Sequence, residues 1–90
     1  MFARWLASLR DLRARIAIAR RIERLAAGHV GDAKSIGRGV SELRIDVGPG
    51  YRVYFMRRGA AIVILLCGGD KATQQRDIQA AQRMAEELDR

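Results

Sequence analysis

Residues 48–55 read GPGYRVYF, and this stretch decides the fold of the chain around it. Pro49 restricts its own φ angle and a glycine on each side supplies conformational freedom, so the chain reverses direction here. After the turn, apolar side chains on one face alternate with a second face formed by Arg52, Tyr54 and Met56. This alternation predicts a half-buried β-strand, and a rigid turn holds Arg52 at its start.

The six residues before the turn, ELRIDV, alternate in the same way. Two alternating segments joined by a tight turn predict a β-hairpin. Because cross-strand neighbours lie on the same face of a sheet, Glu42, Arg44 and Asp46 are expected to share a face with Arg52 and Tyr54.

Helical periodicity marks three further segments. Apolar residues at positions 2, 5, 6 and 9 predict a first helix. Asp11 can cap a second helix that ends near Gly28. Thr73 can cap a final helix. The predicted inward stripe of the second helix is Leu12, Ile16, Ala19, Ile22 and Leu25, and that of the final helix is Ile78, Ala81, Met84, Ala85 and Leu88.

Two segments between the helices lack helical periodicity. Residues 29–40, HVGDAKSIGRGV, are rich in loop-forming residue types and predict a loop. Residues 60–67, AAIVILLC, are apolar without a break, which predicts a strand covered on both faces and central in its sheet, ended by Gly68 and Gly69. The expected order is α-α-β-β-β-α, an α+β fold in one domain spanning residues 1–90.

Positive charge is the strongest compositional signal. The chain has 17 Lys and Arg, 15 of them Arg, against 10 Asp and Glu. Residues 1–58 carry a net charge of +8 and residues 59–90 a net charge of −1. An arginine-rich surface suits RNA, a phosphate-rich assembly or an acidic protein. The alternative is a soluble surface in a genome that favours arginine codons.

Several classes of protein are disfavoured by the sequence. The single Cys67 cannot form an internal disulfide, which fits a reducing cytoplasm, and one Cys with one His cannot build a zinc site. No cofactor is therefore expected. The chain has no run of 18 apolar residues and no cleavage site typical of a signal peptide, so we expect no membrane association.

Two stretches have the chemistry of an anion site. Arg44 and Arg52 on one rigid sheet could hold a phosphate, or they could belong to a solvated face with cross-strand Arg–Glu pairs. The stretch CGGDKATQ, residues 67–74, places two glycines and Lys71 before a helix N-terminus, where an anion could bind, although an ordinary capped turn explains it equally well. His29 could act as a general base, but a residue just past a helix end is better explained as a cap or as exposed.

The stretches ELRIDVGPGYRVYF and LLCGGDKATQQRDIQAA resemble the RelE/ParE superfamily of toxins from type II toxin–antitoxin systems. The closest likeness is to the HigB-like "addiction module killer" subgroup, and it extends to FARWLASLRD and RIERLAAGHVGD. The resemblance implies a small antiparallel sheet with two helices on one side and a terminal helix. Family members begin with a short strand before the FARWL helix, which Met1 abuts here. We therefore expect an unpaired sheet edge, either because this strand is lacking or because the start codon was assigned too far downstream.

The resemblance also implies a site. RelE-like toxins are ribosome-dependent ribonucleases, whereas ParE-like toxins inhibit DNA gyrase. The basic residues of the ribonucleases match Arg52, Lys71 and, more loosely, Arg44. The tyrosine early in the last helix of RelE has no counterpart in QQRDI. RNA cleavage needs no metal, because the 2′-OH can attack the adjacent phosphate if the protein orients it and offsets the developing charge.

Several assignments stay open at this stage. The general base is Asp77, Glu42, Tyr54 or Lys71. Further RNA contacts are predicted at Lys34, Arg57 and Arg58. The implied partners are the ribosome, mRNA and an antitoxin with a helix-turn-helix domain encoded next door. The alternatives to a ribonuclease are a non-catalytic gyrase inhibitor and an inactive relic that binds only the antitoxin.

Overall fold

The computed structural model describes residues 1–89 and has the predicted α+β fold. Two N-terminal helices precede a four-stranded sheet, and a short 3-10 turn at Lys71–Thr73 leads into a C-terminal helix. The helices are α1 (Phe2–Ser8), α2 (Leu12–Ala26) and α3 (Gln74–Leu88), and the strands are β1 (Ala33–Gly37), β2 (Val40–Ile45), β3 (Tyr51–Arg58) and β4 (Ile62–Asp70).

The sheet is antiparallel throughout, with the order β1-β2-β3-β4. The predicted hairpin is formed by β2 and β3. In its register Glu42 lies opposite Tyr54 and Arg44 lies opposite Arg52. The predicted sharing of one face by these side chains is therefore confirmed.

Helices cover both faces of the sheet. On one face α1 and α2 pack against an apolar cluster that includes Leu43, Val53 and Phe55. On the other face α3 packs through Ala81 and Ala85 on Tyr54 and its neighbours. The amide Nε2 of Gln82 also donates a hydrogen bond of 2.8 Å to the backbone oxygen of Ile36, which ties α3 to β1. Arg44 and Arg52 thus belong to the face that α3 covers. No helix within residues 1–89 is long and apolar enough to cross a membrane.

The prediction that residues 29–40 form a loop is wrong, because they contain β1. This strand pairs with β2, and its half-buried Ala33 and Ile36 contact the two apolar clusters. A tight turn follows, with positive φ at both Arg38 (57°) and Gly39 (77°). Strand formation here depends on pairing with β2 rather than on the intrinsic preference of its residues.

The prediction that residues 60–67 form a central strand is wrong in position. The strand β4 is covered on both faces, by α1 and α3, but it lies at the edge of the sheet and continues to Asp70. Within residues 1–89 no strand pairs with its outer edge. The apolar run therefore reflects burial of both faces of the strand by helices and does not indicate a central position in the sheet.

The predicted inward stripe of α2 is partly wrong. Leu12 and Ile16 are 64% and 45% exposed, whereas Ala14, Ile18 and Leu25 are buried. The inner side of the helix includes Arg21, whose Nη1 donates a 2.7 Å hydrogen bond to the backbone oxygen of Arg44. A charged side chain thus occupies an inward position of α2. The buried face of the helix is rotated relative to the apolar stripe predicted from the sequence.

Candidate functional site

The turn between β2 and β3 forms one wall of the candidate site. The N–H of Gly50 donates to the oxygen of Val47 at 3.1 Å, which closes a four-residue turn. Gly48 has φ of 58°, a value that favours glycine, and it takes the first central position. Pro49 is therefore the third of the four residues of the turn.

A cavity of about 480 Å³ opens beside this turn. Three basic side chains predicted from the sequence, Arg44, Arg52 and Lys71, line this one cavity. Two carboxylate side chains, Asp32 and Asp46, line it as well. Residues from three different parts of the chain, β2, β3 and the turn before α3, thus contribute positive charge to one place.

Arg52 is the deepest of the three cations. It lies opposite Arg44 on β2 and opposite Gly69 on β4, and its side chain is half-buried. Its Nε atom is buried and has no hydrogen-bond partner among residues 1–89. A buried donor without a partner and two like charges directly opposite each other both cost free energy. An anion bound between the guanidinium groups would relieve the repulsion between the two charges.

Arg44 is held by its neighbours. Its Nε and Nη2 atoms donate to Oδ1 of Asp32 at 3.1 and 2.6 Å. The backbone N–H of Arg44 donates to the backbone oxygen of Asp32 at 2.9 Å, and Arg21 binds the Arg44 oxygen from the other side. Arg44 is therefore oriented toward the cavity, but part of its charge is already offset by Asp32.

Lys71 lies exposed where β4 passes into the C-terminal helix. Thr73 occupies the N-cap position of this helix, as predicted, but its side chain accepts no capping hydrogen bond from the helix. The carboxylate of Asp70 accepts hydrogen bonds from the N–H groups of Ala72 and Thr73, at 2.8 and 3.2 Å, and caps the short 3-10 turn. The hydroxyl of Thr73 instead donates to Oδ2 of Asp77 at 2.5 Å.

The two glycines before this turn accommodate the protein's own side chains. A Cβ atom on Gly68 would overlap the ring of Trp5, and one on Gly69 would overlap the carboxylate of Asp77. Side chains of α1 and α3 therefore approach the backbone closely at both glycines, and packing alone explains both residues.

The chain matches the family model for phage-derived Gp49-like proteins (DUF891) over residues 4–88. It belongs to the Gp49-like family. This family is associated with toxin–antitoxin modules. An uncharacterized protein of Haemophilus influenzae is 53% identical over 87 residues, which cover 97% of this chain and 88% of that protein. No solved structure matches the chain.

Two predicted catalytic residues of this Gp49-like protein lie outside the cavity lining. Tyr54 is fully buried beneath α3, and its hydroxyl donates to Oε2 of Glu42 at 3.1 Å. Nε2 of Gln74 donates to the same oxygen at 2.8 Å. Burial, and then the nearby Glu42 carboxylate, raise the pKa of Tyr54 above its ordinary value, so the phenol stays protonated at neutral pH. Glu42 is also fully buried, and its Oε1 has no hydrogen-bond partner within residues 1–89.

Asp77, a further candidate for the general base, lies in a different part of the Gp49-like fold. It lines a second cavity of about 620 Å³, together with Trp5 and Cys67. Burial, and then the charge of Asp77, raise the pKa of the Cys67 thiol to about 11. The structure therefore does not bring Asp77 together with the three basic residues.

The three predicted RNA contacts lie outside the cavity lining. Lys34 and Arg57 are exposed and line a shallow depression beside Phe55. Arg57 is five residues beyond Arg52 on β3, which corresponds to about 17 Å along the strand. Arg58 pairs with Asp89 at 3.2 Å near the end of α3.

His29 lies outside the cavity lining, as expected. It is exposed past the end of α2, and its backbone N–H donates to the oxygen of Arg24 at 2.8 Å. This backbone bond satisfies a carbonyl group at the helix end.

The acidic members of the cavity were missed as functional candidates. Asp46 was placed on the correct face by its alternation with Arg44, but it was not among the predicted general bases. Asp32 lies in the segment interpreted as a loop, so nothing in the sequence paired it with Arg44. In the part of the chain that the structure describes, no group of three His, Cys, Asp or Glu side chains could hold a metal ion.

Proposed function

We propose that this Gp49-like protein is the toxin of a type II toxin–antitoxin module and that it cleaves ribosome-bound mRNA. The observation that carries the proposal is the convergence of Arg52, Arg44 and Lys71 on one cavity, together with the buried Nε of Arg52, which has no hydrogen-bond partner within residues 1–89. The resemblance to RelE-like toxins supports the same chemistry, and the association of the family with toxin–antitoxin modules supports the same biological setting.

Phosphate is the anion that this cavity suits best. A guanidinium group offers several N–H donors in a plane, which matches the oxygens of a phosphodiester, and Lys71 adds a point charge at the rim. The site combines a fixed donor on a strand, Arg52, with an exposed one on the turn after β4. A preorganised arrangement of this kind stabilises the charge that develops on a phosphate during displacement.

The proposed reaction is an internal transfer within RNA. The 2′-oxygen forms a bond to phosphorus while the bond from phosphorus to the 5′-oxygen of the next nucleotide breaks. A cyclic phosphate and a free 5′-hydroxyl are the products. The proton of the 2′-OH passes to a base, and the departing 5′-oxygen receives a proton from an acid.

Asp46 is the group best placed to accept the first proton. It lines the cavity and is exposed, and it makes no hydrogen bond or ion pair within residues 1–89. Asp32 also lines the cavity, but its carboxylate is occupied by Arg44. Tyr54 keeps its proton and lies beneath α3 together with Glu42. The ammonium group of Lys71 would donate the second proton.

The buried network of Tyr54, Glu42 and Gln74 would support the site without touching RNA. Gln74 is the first residue of α3, directly after the turn that carries Lys71. Its hydrogen bond to Glu42 fixes the start of this helix over the sheet. The network would therefore set the position of Lys71 relative to Arg52 on β3.

The proposed partners follow from this function. The protein would act on mRNA in the decoding site of the ribosome, and thus in the cytoplasm. Its antitoxin would be encoded next to it and would carry a helix-turn-helix domain, as the resemblance to HigB-like toxins implies.

The decisive experiment measures cleavage of mRNA on programmed ribosomes with purified protein. We expect cleavage that requires the ribosome. We also expect it to persist when the protein alone has first been treated with a chelator and the chelator has then been removed. The parallel assay is supercoiling by purified gyrase, which we expect to be unaffected. Loss of supercoiling with translation intact would favour the gyrase inhibitor, and no effect in either assay would favour an inactive antitoxin-binding protein.

The base is tested by the pH dependence of single-turnover cleavage. Replacement Asp46→Asn is expected to lower the rate about a hundredfold or more and to remove the acidic limb of the profile. An unchanged profile in Asp46→Asn would exclude this carboxylate as the base while leaving the cation site untouched.

A further inference from the structure

A smaller cavity of about 260 Å³ opens at the C-terminal end of α2. We call it the helix-end cavity, and its lining residues are Arg21, Arg24, His29, Gly31 and Asp32. No apolar side chain lines it, so it lacks the surface that an apolar ligand or peptide would bind. Three of its five residues are basic, and this composition suits an anion.

Arg21 is the fixed cation of the helix-end cavity. Its Nη1 donates to the backbone oxygen of Arg44 at 2.7 Å, and its Nη2 donates to the backbone oxygens of Val30 and Asp32, both at 3.4 Å. Gly31 makes room for this guanidinium group, because a Cβ there would lie 2.9 Å from Nη2. Arg21 forms no ion pair within residues 1–89, so carbonyl dipoles alone offset its charge.

Two exposed side chains, Arg24 and His29, complete the basic lining. Neither forms an ion pair within residues 1–89, and both carry N–H groups that can donate to phosphate oxygens. The carbonyl groups of this helix end already have partners: the N–H of His29 donates to the Arg24 oxygen at 2.8 Å, and that of Gly28 to the Leu25 oxygen at 3.0 Å. These bonds reduce the repulsion that an anion meets at the C-terminus of a helix.

The helix-end cavity adjoins the basic cavity, since Asp32 lines both. The carboxylate of Asp32 is bound by Nη2 of Arg44 at 2.6 Å, so it presents less negative charge to either cavity. The hydrogen bond from Arg21 to the Arg44 oxygen joins the two linings. A phosphodiester chain with one phosphate between Arg44 and Arg52 would therefore have to pass only Asp32 to place its next phosphate at the helix end.

We propose that the helix-end cavity binds the phosphate next to the cleaved bond in the RNA strand. Arg24 and His29 would donate to its oxygens, and Arg21 would add a fixed charge. The inference rests on the proposed function, because the strand held in the basic cavity is the one that continues here. A second anchored phosphate would fix the backbone on one side of the cleaved bond and so help to hold the 2′-oxygen in line for attack.

The test is an NMR titration of the isotope-labelled protein with two RNAs whose 2′-hydroxyl groups are methylated to prevent cleavage. A dinucleotide carries one phosphodiester and a trinucleotide carries two. We expect the trinucleotide to bind about fivefold or more tightly at low salt, and its salt dependence to be steeper by about 0.7 in log Kd per log salt concentration, the effect of one further phosphate. The backbone amide of Gly31 should shift with the trinucleotide and not with the dinucleotide.

Variants locate the second phosphate. Arg24→Gln and Arg24→Gln/His29→Gln should bind the two RNAs with affinities within about twofold of each other and should bind the dinucleotide as the wild type does. Arg13→Gln is the matched control for Arg24→Gln, because it removes an exposed arginine of α2 that lines neither cavity. It should keep the advantage of the trinucleotide. The amide spectrum of each variant checks that it folds.

The outcomes separate this inference from the function on which it rests. A dinucleotide that needs Arg52, with a trinucleotide that binds no more tightly, would overturn the helix-end site and leave the proposed function intact. Equal loss of trinucleotide affinity in Arg24→Gln and Arg13→Gln would also overturn it, since net charge alone would then govern binding. Triglutamate that binds at Gly31 as tightly as the trinucleotide would overturn it in favour of an acidic protein. If neither RNA bound, both the helix-end site and the phosphate site of the proposed function would be contradicted.

Discussion

Two neighbouring pairs of residues on the same face of the β2–β3 hairpin have opposite surroundings. Glu42 opposite Tyr54 is fully buried beneath α3, and the two side chains bind each other. The Arg44–Arg52 pair lies two residues further along each strand, at the cavity beside the turn. The first pair is largely satisfied within the protein, whereas the second brings two like charges together and leaves Nε of Arg52 without a partner.

The difference shows what decides whether a polar pair on a sheet becomes a structural network or a binding site. Both pairs have the same periodicity and the same register. The pair under α3 receives a further donor, Gln74, from the start of that helix. The other pair lies beside the glycine-proline turn and an open cavity, where we propose that an external anion binds. The boundary between core and site is set by where α3 begins.

The largest effect is expected at Arg52. Replacement Arg52→Ala should lower cleavage on programmed ribosomes about a hundredfold, since a preorganised charged contact to the transition state is worth on the order of 3 kcal/mol. Arg52→Lys should recover only part of the rate, because an ammonium group cannot make a two-pronged contact.

The control for this prediction is Arg83→Ala, which removes an exposed arginine from α3. It should change the free energy of unfolding by no more than about 0.5 kcal/mol and leave cleavage unchanged. Full activity in a folded Arg52→Ala protein would show that the Arg44–Arg52 pair is part of a solvated sheet face and has no role in cleavage.

Alkaline pH should lower the stability of the fold through the buried groups around Tyr54 rather than through the Arg44–Arg52 pair. The raised pKa of Cys67, about 11, means that the folded protein retains a proton that the unfolded chain releases near pH 9. The associated stability is fully present below pH 9 and is lost as the pH rises toward 11, an effect on the order of 2 kcal/mol. Tyr54, whose pKa is also raised, adds a loss of the same sign at higher pH.

Urea titrations from pH 7 to 11 measure this loss. Cys67→Ala should remove the part that begins near pH 9, and Tyr54→Phe should remove the part that begins above the ordinary tyrosine pKa. Equal pH dependence in the wild type and both variants would show that neither buried group controls alkaline stability.

The sequence predicted the helices, the hairpin and its register because each depends on local periodicity and on one turn. The alternation of the two strands grouped Arg44 with Arg52, the resemblance added Lys71, and these three line one cavity. The strand β1 was missed, since the residues AKSIG have weak strand preference and form a strand only through pairing with β2.

The remaining errors have one physical origin. Position in a sheet and cover by a helix are properties of the tertiary fold, and periodicity does not encode them. An apolar run was therefore taken as central although β4 is an edge strand. Tyr54 and Asp77 were grouped with the cations, although Tyr54 is buried beneath α3 and Asp77, on α3, lines a different cavity. Arg21 bonds to the backbone of Arg44 at 2.7 Å, and an arginine in this inward position could not be foreseen from the apolar stripe of α2.

Removing the buried hydroxyl of Tyr54 should cost stability at neutral pH. Tyr54→Phe deletes a hydrogen bond to the carboxylate of Glu42 and leaves that oxygen with Gln74 alone. We expect the free energy of unfolding at pH 7 to fall by about 1.5 kcal/mol, the usual worth of a hydrogen bond to a charged group. Urea denaturation measures the change.

Cleavage distinguishes the supporting role of Tyr54 from a catalytic one. In folded Tyr54→Phe protein the cleavage rate should fall by less than about tenfold, and the pH profile should keep its shape. A hundredfold loss of rate with an altered pH profile would show that Tyr54 takes part in the reaction.

The smallest effect is expected at Asp32, which offsets part of the charge of Arg44. The two side chains are 55% and 39% exposed, so the ion pair should contribute less than about 1 kcal/mol to stability. Asp32→Asn removes one negative charge from the cavity and frees the Arg44 guanidinium for an anion. A short RNA should therefore bind a few-fold more tightly at low salt, and the gain should shrink at 0.15 M salt because screening weakens exposed charges. Fluorescence anisotropy with a labelled oligonucleotide measures the affinity, and Glu87→Gln, an exposed carboxylate near the end of α3, is the matched control. Equal tightening in both variants would mean that net charge alone governs binding, whereas tightening in Asp32→Asn alone would locate the anion at the open end of the hairpin.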